Sequence, residues 1–323
     1  MTFSIIICCY NSTNVIKGTL RHVSRLELPP TSSVELIVVD NNSRDDTSAF
    51  VKEAWYSFGA PFPLLLLEEK SQGKSFALNT GVKRAKGDIV IICDDDNHLY
   101  PDYLVQIEGV FERYGCYSIF GPAIVAVSDS PFPDWFIGEQ GYFAIGSPEA
   151  ECEERFGYGI PGAGMVCRRA LLSQLVNDQI PSLCIGPNGS IESRCDDGEI
   201  CMRAQILGHR IAQTSCLRLN HFIEGNRLTS EYLDKLKREG ATDAIVMTKY
   251  SVALEVNRLR FGSKMLLSTR ALFKLVAGKL TGQPRMIEHS IWVIYFVSGI
   301  SLFSDFQTRM IRRFISYCKR HGS

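Results

Sequence analysis

Within its first hundred residues this chain repeatedly runs a short apolar segment into a polar cluster and then into a stretch with helical spacing. Phe3–Cys9 is rich in isoleucine and leads into Tyr10-Asn11-Ser12. Glu35–Val39 ends in Asp40-Asn41-Asn42-Ser43, Pro63–Leu67 follows, and Asp88–Cys93 ends in Asp94-Asp95-Asp96. Val15–Leu26, Thr47–Phe58, Ser75–Ala85 and Tyr103–Tyr114 carry apolar residues at helical intervals. Apolar strands alternating with helices are the pattern of βαβ units, in which helices cover both faces of a parallel sheet. Ligands in such sheets sit beyond the carboxyl ends of the strands. The clusters at Tyr10, Asp40 and Asp94 are therefore predicted to converge on one edge.

After residue 120 the pattern loosens, with frequent Pro, Gly and aromatic residues as far as Gly164. Ala170–Val176 and Glu199–Leu207 read as helices, Arg210–Ser215 as a strand, and residues 226–323 as mostly helical. At 323 residues the chain is long enough for one large α/β domain with a smaller appendage.

Net charge is zero, but its distribution is uneven. Residues 258–323 hold twelve Lys or Arg against Glu288 and Asp305, a balance of +10 that leaves −10 on the remainder. An acidic body with a basic tail asks for a surface or partner, although the body's acidity argues against nucleic acid. The eleven cysteines stand singly or as Cys8-Cys9, without CxxC spacing, which disfavours a disulfide framework or a structural zinc site and suits a reducing compartment. The first residues read as a strand rather than a signal peptide, so the expectation is a cytoplasmic protein.

Three successive carboxylates at the end of an apolar strand repel one another unless a cation sits among them. Asp94 and Asp96, two residues apart, are placed to offer oxygens to Mg²⁺ or Mn²⁺, hard ions that share their shells with substrate phosphates. Asp40 is a second strand-end carboxylate, suited to a base N–H or a ribose hydroxyl. Gly73-Lys74-Ser75 is not a P-loop, since Glu68 stands where its first glycine belongs. Lys74 is left to meet an anion or to sit solvated. No G-x-G-x-x-G follows any strand, which disfavours a dinucleotide-binding dehydrogenase.

IIICCYN, ELIVVDNNSRDDT and QGKSFALNTGVKRAKGDIVIICDDDN together resemble the nucleotide-binding half of a GT-A fold glycosyltransferase of family 2. The resemblance implies an α/β fold with a mostly parallel sheet. It assigns nucleoside contacts to Tyr10 and Asp40, a metal to Asp94 and Asp96, and donor contacts to Lys74 and Asp95. SRCDDGEICMRAQILG resembles the family's second acidic motif, with Asp196 where Glu is usual and Arg203 and Gly208 in register. By that resemblance Asp197 is the catalytic base, Asp196 a substrate contact and His221 a further metal ligand. Arg227 lies near the expected phosphates, the Gly157–Gly164 loop shapes the sugar pocket, and Trp135 and Phe136 either stack on a sugar or pack in the core. The implied reaction is inverting transfer of a sugar from a nucleotide diphosphate sugar to a saccharide or lipid-linked acceptor. Polysaccharide or glycolipid biosynthesis is the expected setting, with Mn²⁺ or Mg²⁺ as cofactor. The implied organisation is a catalytic domain over 1–225, with a nucleotide half at 1–120 and an acceptor half at 121–225, followed by a basic helical extension at 226–323.

Two other readings stay open. A sugar-1-phosphate nucleotidyltransferase shares this strand order, but it would carry a glycine-rich loop where Cys9-Tyr10-Asn11-Ser12 stands. A catalytically silent sugar-nucleotide-binding protein is the other. In the tail, Ser290–Ser304 is uncharged but too short to span a bilayer. Phe306, Met310, Ile311, Phe314 and Ile315 recur at helical spacing among basic residues, as in a helix lying on an anionic membrane or one packed against the body.

Overall fold

In a computed structural model, the structure describes residues 1–184, 195–259, 261–298 and 305–321. Ser193 and Arg194 of the second acidic motif, Arg260, and the end of the uncharged run, 299–304, lie outside the described residues. The elements are β1 (Thr2–Cys9), α1 (Ile16–Val23), β2 (Ser33–Asp40), α2 (Thr47–Ser57), β3 (Leu64–Glu68), α3 (Lys74–Arg84), β4 (Ile89–Asp94), β5 (Asn97–Leu99) and α4 (Tyr103–Arg113). There follow β6 (Ile119–Val127), α5 (Phe136–Glu139), β7 (Cys152–Arg155), β8 (Val166–Arg168), α6 (Arg169–Leu175), α7 (Asp196–Ile206) and β9 (Ile211–Phe222). Four helices complete the described chain: α8 (Ser230–Arg258), α9 (Phe261–Thr281), α10 (Pro284–Ser298) and α11 (Phe306–His321).

The sheet runs β3-β2-β1-β4-β8-β6-β9-β5, with β7 added on β9. The first four strands in that order are mutually parallel, and β8 turns the direction between β4 and β6. Ile5, Ile7, Leu36 and Val38 face one apolar layer, under α1, α2 and α4; Ile6, Ile37 and Val39 face the other, under α3. Burial on both faces is why these strands read as continuous apolar runs. Gly87, just before β4, is required by close approach: a Cβ there would stand 2.5 Å from backbone atoms of Phe3 and Ser4.

Helices α8 and α11 share this core. Val246, Met247 and Tyr250 of α8 and Met310, Ile311, Phe314 and Cys318 of α11 are buried in the same cluster as Ile6 and Ile92. The apolar face of α11 that suggested a membrane helix is thus turned onto the protein. Among the described residues no helix is long and apolar enough to cross a membrane.

Candidate active site

Strand register brings the polar clusters together. Parallel pairing sets Cys9 of β1 beside Asp40 of β2, and Cys8 beside Asp94 of β4, so Tyr10, Asn41 and Asp95 leave the sheet side by side. Antiparallel pairing of β5 with β9 sets Asn97 opposite His221, which carries His221 to Asp96. Helix α7 begins at Asp196 and points its first turn at the same edge. The result is a cleft of about 670 Å³ whose walls include Tyr10, Lys74, Asp94, Asp95, Asp96, Asp196, Asp197, His221 and Arg227.

Two opposed charge groups occupy the floor. Lys74 Nζ lies 2.5 Å from Asp94 Oδ1 and 4.0 Å from Asp196 Oδ2. Burial works against the Lys74 charge, but Asp94, Asp196 and Asp197 outweigh it and hold the ammonium well above the usual lysine range. Burial raises Asp196 to about 7; Lys74 opposes that rise while Asp197 and Asp94 add to it. Asp197 is raised too, chiefly by burial, although Lys74 and two backbone N–H groups favour its ionised form. Those donors are Gly162, to Oδ2, and Gly198, to Oδ1, each at 2.7 Å, and they fix the plane of the carboxylate.

On the other side, Asp96 Oδ2 accepts from Arg227 Nη1 at 2.7 Å and faces His221 Nε2 at 3.2 Å. Burial opposes its ionisation, yet His221 and Arg227 hold its carboxyl far below the ordinary range. The His221 Nδ1 lies 2.8 Å from the Phe143 carbonyl, which only accepts, so Nδ1 bears a proton. Burial disfavours a charged His221, and Asp96 more than compensates, raising it. Asp95 is a brace as well as a wall. Its carboxylate accepts from Ser12 Oγ and its carbonyl from Thr19 Oγ1 at 2.6 Å, which ties the loop after β1 and helix α1 to the end of β4. Burial, with Asp96 alongside, raises its carboxyl to about 7.

Lys74 is delivered by a clamp that the sequence does not announce. Buried Asn41 donates from Nδ2 to the carbonyls of Glu69 and Ser71, at 3.1 and 2.7 Å, and accepts the Gly73 N–H at 2.7 Å. Gly73 has φ +134°, a conformation that favours glycine, and the chain turns there directly into α3 and Lys74. Asp40 reaches the same edge but does not line the cleft. Its carboxylate accepts the Ser43 N–H at 3.0 Å and Ser48 Oγ at 2.6 Å, so it secures the entry to α2 while Asn41 faces inward.

Tyr158 of the Gly157–Gly164 loop lines the cleft, joined by Tyr142, which the sequence reading did not single out. Trp135 and Phe136 take the packing role. Trp135 stacks on Phe143 and Phe136 packs tilted against it, in a cluster with Leu233 and Leu236 of α8, and only Phe143 of the three reaches the cleft wall.

A family model described as glycosyl transferase family 2 matches residues 4–173, more than half of the chain. An undecaprenyl-phosphate 4-deoxy-4-formamido-L-arabinose transferase of Pseudomonas savastanoi pv. phaseolicola is 26% identical over 41% of this chain and 38% of its own length. A poly-beta-1,6-N-acetyl-D-glucosamine synthase of Staphylococcus epidermidis is 31% identical over 32% of this chain and 24% of its own. The poly(ribitol-phosphate) beta-N-acetylglucosaminyltransferase TarS of Staphylococcus aureus is 31% identical over 35% of this chain and 19% of its own. The chain thus spans less than two fifths of the length of each of these relatives. Among solved structures, S. aureus TarS 1–349 in complex with UDP-GlcNAc superposes with a TM-score of 0.54 and 18% identity, over 100% of this chain and 93% of that one. That likeness establishes the α/β GT-A fold, and with the family match it follows that the chain belongs to glycosyl transferase family 2.

Proposed function

We propose that this chain transfers a sugar from a nucleoside diphosphate sugar to an acceptor hydroxyl, with inversion at the anomeric carbon. The observation that carries the proposal is the convergence of Lys74, Asp94, Asp96, Asp196 and Asp197 on one cleft at the carboxyl edge of the sheet. Relatives whose names specify sugar transferases, and a structural neighbour holding UDP-GlcNAc, support a nucleotide sugar donor and make UDP-GlcNAc the first to try. A saccharide or lipid-linked acceptor is the matching expectation.

The donor set fits a divalent ion. Asp94 and Asp96 present hard carboxylate oxygens to the cleft, with His221 beside Asp96, and Mg²⁺ or Mn²⁺ takes few protein carboxylates and completes its shell with water and phosphate. Among the described residues no group of three or more His, Cys, Asp or Glu is arranged to hold an ion by itself, so the diphosphate would complete the set. When bound, the ion would supply Lewis-acid neutralisation of the charge developing on the departing diphosphate. Lys74 and Arg227 add a cation to each side of the cleft, each fixed by a carboxylate and so oriented before substrate arrives. Asp197, its plane set by two N–H groups, accepts the acceptor proton as the acceptor oxygen bonds to the anomeric carbon and the carbon–phosphate oxygen bond breaks.

The test is nucleotide release from a panel of nucleoside diphosphate sugars, UDP-GlcNAc first, with Mn²⁺, Mg²⁺ or chelator, with and without saccharide and lipid-phosphate acceptors. Metal-stimulated release of the nucleoside diphosphate is the expected result. Release of nucleoside triphosphate from donor and pyrophosphate would indicate a nucleotidyltransferase, and donor binding without turnover a silent binding protein; either outcome removes the proposal.

A further inference from the structure

We infer that α9 is a docking surface for an anionic lipid bilayer. At 3.6 residues per turn, Met265, Leu266, Leu272, Phe273, Val276 and Leu280 fall within an arc of roughly 120° on one side of the helix. All six are exposed, Phe273 at 74% and Leu280 at 83%. The opposite side carries the buried Ala271 and Gly278 against α10 and α8, so α9 has an inner apolar face that is covered and an outer one that is bare. Bare apolar residues in such a contiguous strip mark an interaction site rather than ordinary surface.

The charge pattern selects the occupant. Residues 261–281 include Lys264, Arg270, Lys274 and Lys279 and no acid, and Arg270 and Lys279 fall at the two margins of the apolar arc. Apolar residues flanked by basic ones suit a helix lying at the level of lipid headgroups. A second copy meeting this face through its own α9 would set basic residues against basic residues. The net −10 on residues 1–257 repels an anionic surface while the +10 after them attracts it, so the chain would approach a membrane tail-first. Phe306 apart, the apolar face of α11 is turned into the core, so among the described residues of the basic segment α9 carries the bare apolar strip.

The experiment is co-sedimentation of the full chain with vesicles of phosphatidylcholine alone or mixed equally with phosphatidylglycerol, read as a partition coefficient; it assumes nothing about turnover. Binding to the mixed vesicles that weakens with salt is expected, with little binding to the neutral ones. Phe273→Ser with Leu280→Ser is expected to weaken it about 100-fold, roughly tenfold for each side chain withdrawn from lipid. Arg270→Ser with Lys279→Ser is expected to weaken it about 30-fold on the anionic vesicles. These positions are exposed, so melting temperatures stay at the parent value, and that control separates lost docking from lost folding. The inference is overturned if the parent fails to bind anionic vesicles, if it binds neutral ones equally, or if the apolar double variant binds like the parent. Concentration-dependent self-association that the variant abolishes, without vesicle binding, would assign the face to a second copy instead and equally overturn it.

Discussion

Replacing Arg203 by leucine probes how the first turn of α7 is held. Arg203 and Glu199, one turn apart, form a 2.8 Å ion pair with side chains 3% and 1% exposed. Arg203 also donates to the carbonyls of Leu175, Ile180 and Pro181 at 2.7, 3.1 and 3.0 Å, and its guanidinium lies 4.9 Å from the Phe314 ring of α11. Glu199 accepts from Ser182, the N–H groups of Leu183 and Cys184, and Tyr250 of α8. Leucine fills much of the space but leaves a buried carboxylate without its counter-charge, a change worth about 3–5 kcal/mol. Carbonyls that lose their donor add about 1 kcal/mol or more. Arg203→Leu is therefore expected to lose about 5 kcal/mol in urea unfolding of the full chain, followed by far-UV circular dichroism with linear extrapolation. Glu199→Gln combined with Arg203→Leu removes the stranded charge and is expected to be less destabilised than Arg203→Leu alone. If Arg203→Leu falls within about 1 kcal/mol of the parent, or the two substitutions simply add, the ion pair does not hold α7 as argued.

Asp197→Asn keeps the Gly162 N–H contact possible and removes the proton acceptor; turnover is expected to fall about 10²–10⁴-fold with donor affinity little changed, and calorimetric titration alongside initial rates checks it. Asp96→Asn is expected to weaken donor binding measured with Mn²⁺ more than donor binding in chelator; equal titrations of parent and variant in Mn²⁺ would refute the assignment. Asp196 carries its proton to about pH 7 when folded but, with an ordinary value of 3.8, releases it near pH 4 when unfolded. The folded state binds the extra proton between those limits, so stability falls as pH rises from about 4 to 7. The melting temperature in chelator should therefore decline over that window, and Asp196→Asn should flatten the decline.

Much of the fold was legible because β1, β2 and β4 bury both faces and so spell themselves out as apolar runs, each ended by residues that belong at the ligand edge. The middle of the chain hid its strands for local reasons. β5 and β8 are three residues long and β7 four, too short for any period, and β6 is broken by Gly121-Pro122, where its pairing with β9 shifts register. Arg218 and Asn220 disguised the far end of β9, whose alternate residues point outward. At the cleft, Asp94, Asp96, Asp196 and Asp197 were visible as carboxylates at element ends. The pairings among them were not: Arg227 meets Asp96 across more than a hundred residues, and the choice between Asp40 and Asn41 depends on which one the β2 turn aims inward. The arginine of the second acidic motif is read easily as part of a chemical signature, whereas its neighbours show it bolting α7 to the helices behind.

No disulfide joins any of the eleven cysteines, and their placement sets how the protein meets alkylating reagents. Burial pushes Cys8 up to about 12 and drives Cys9 and Cys93 upward as well, with the surrounding aspartates adding to the effect, so little thiolate forms beside the cleft at neutral pH. Cys116 alone is exposed, on the turn between α4 and β6. A maleimide dye at neutral pH should therefore mark that turn first and spare the cleft. Slow modification of the inner thiols then becomes a clock for how often the sheet opens.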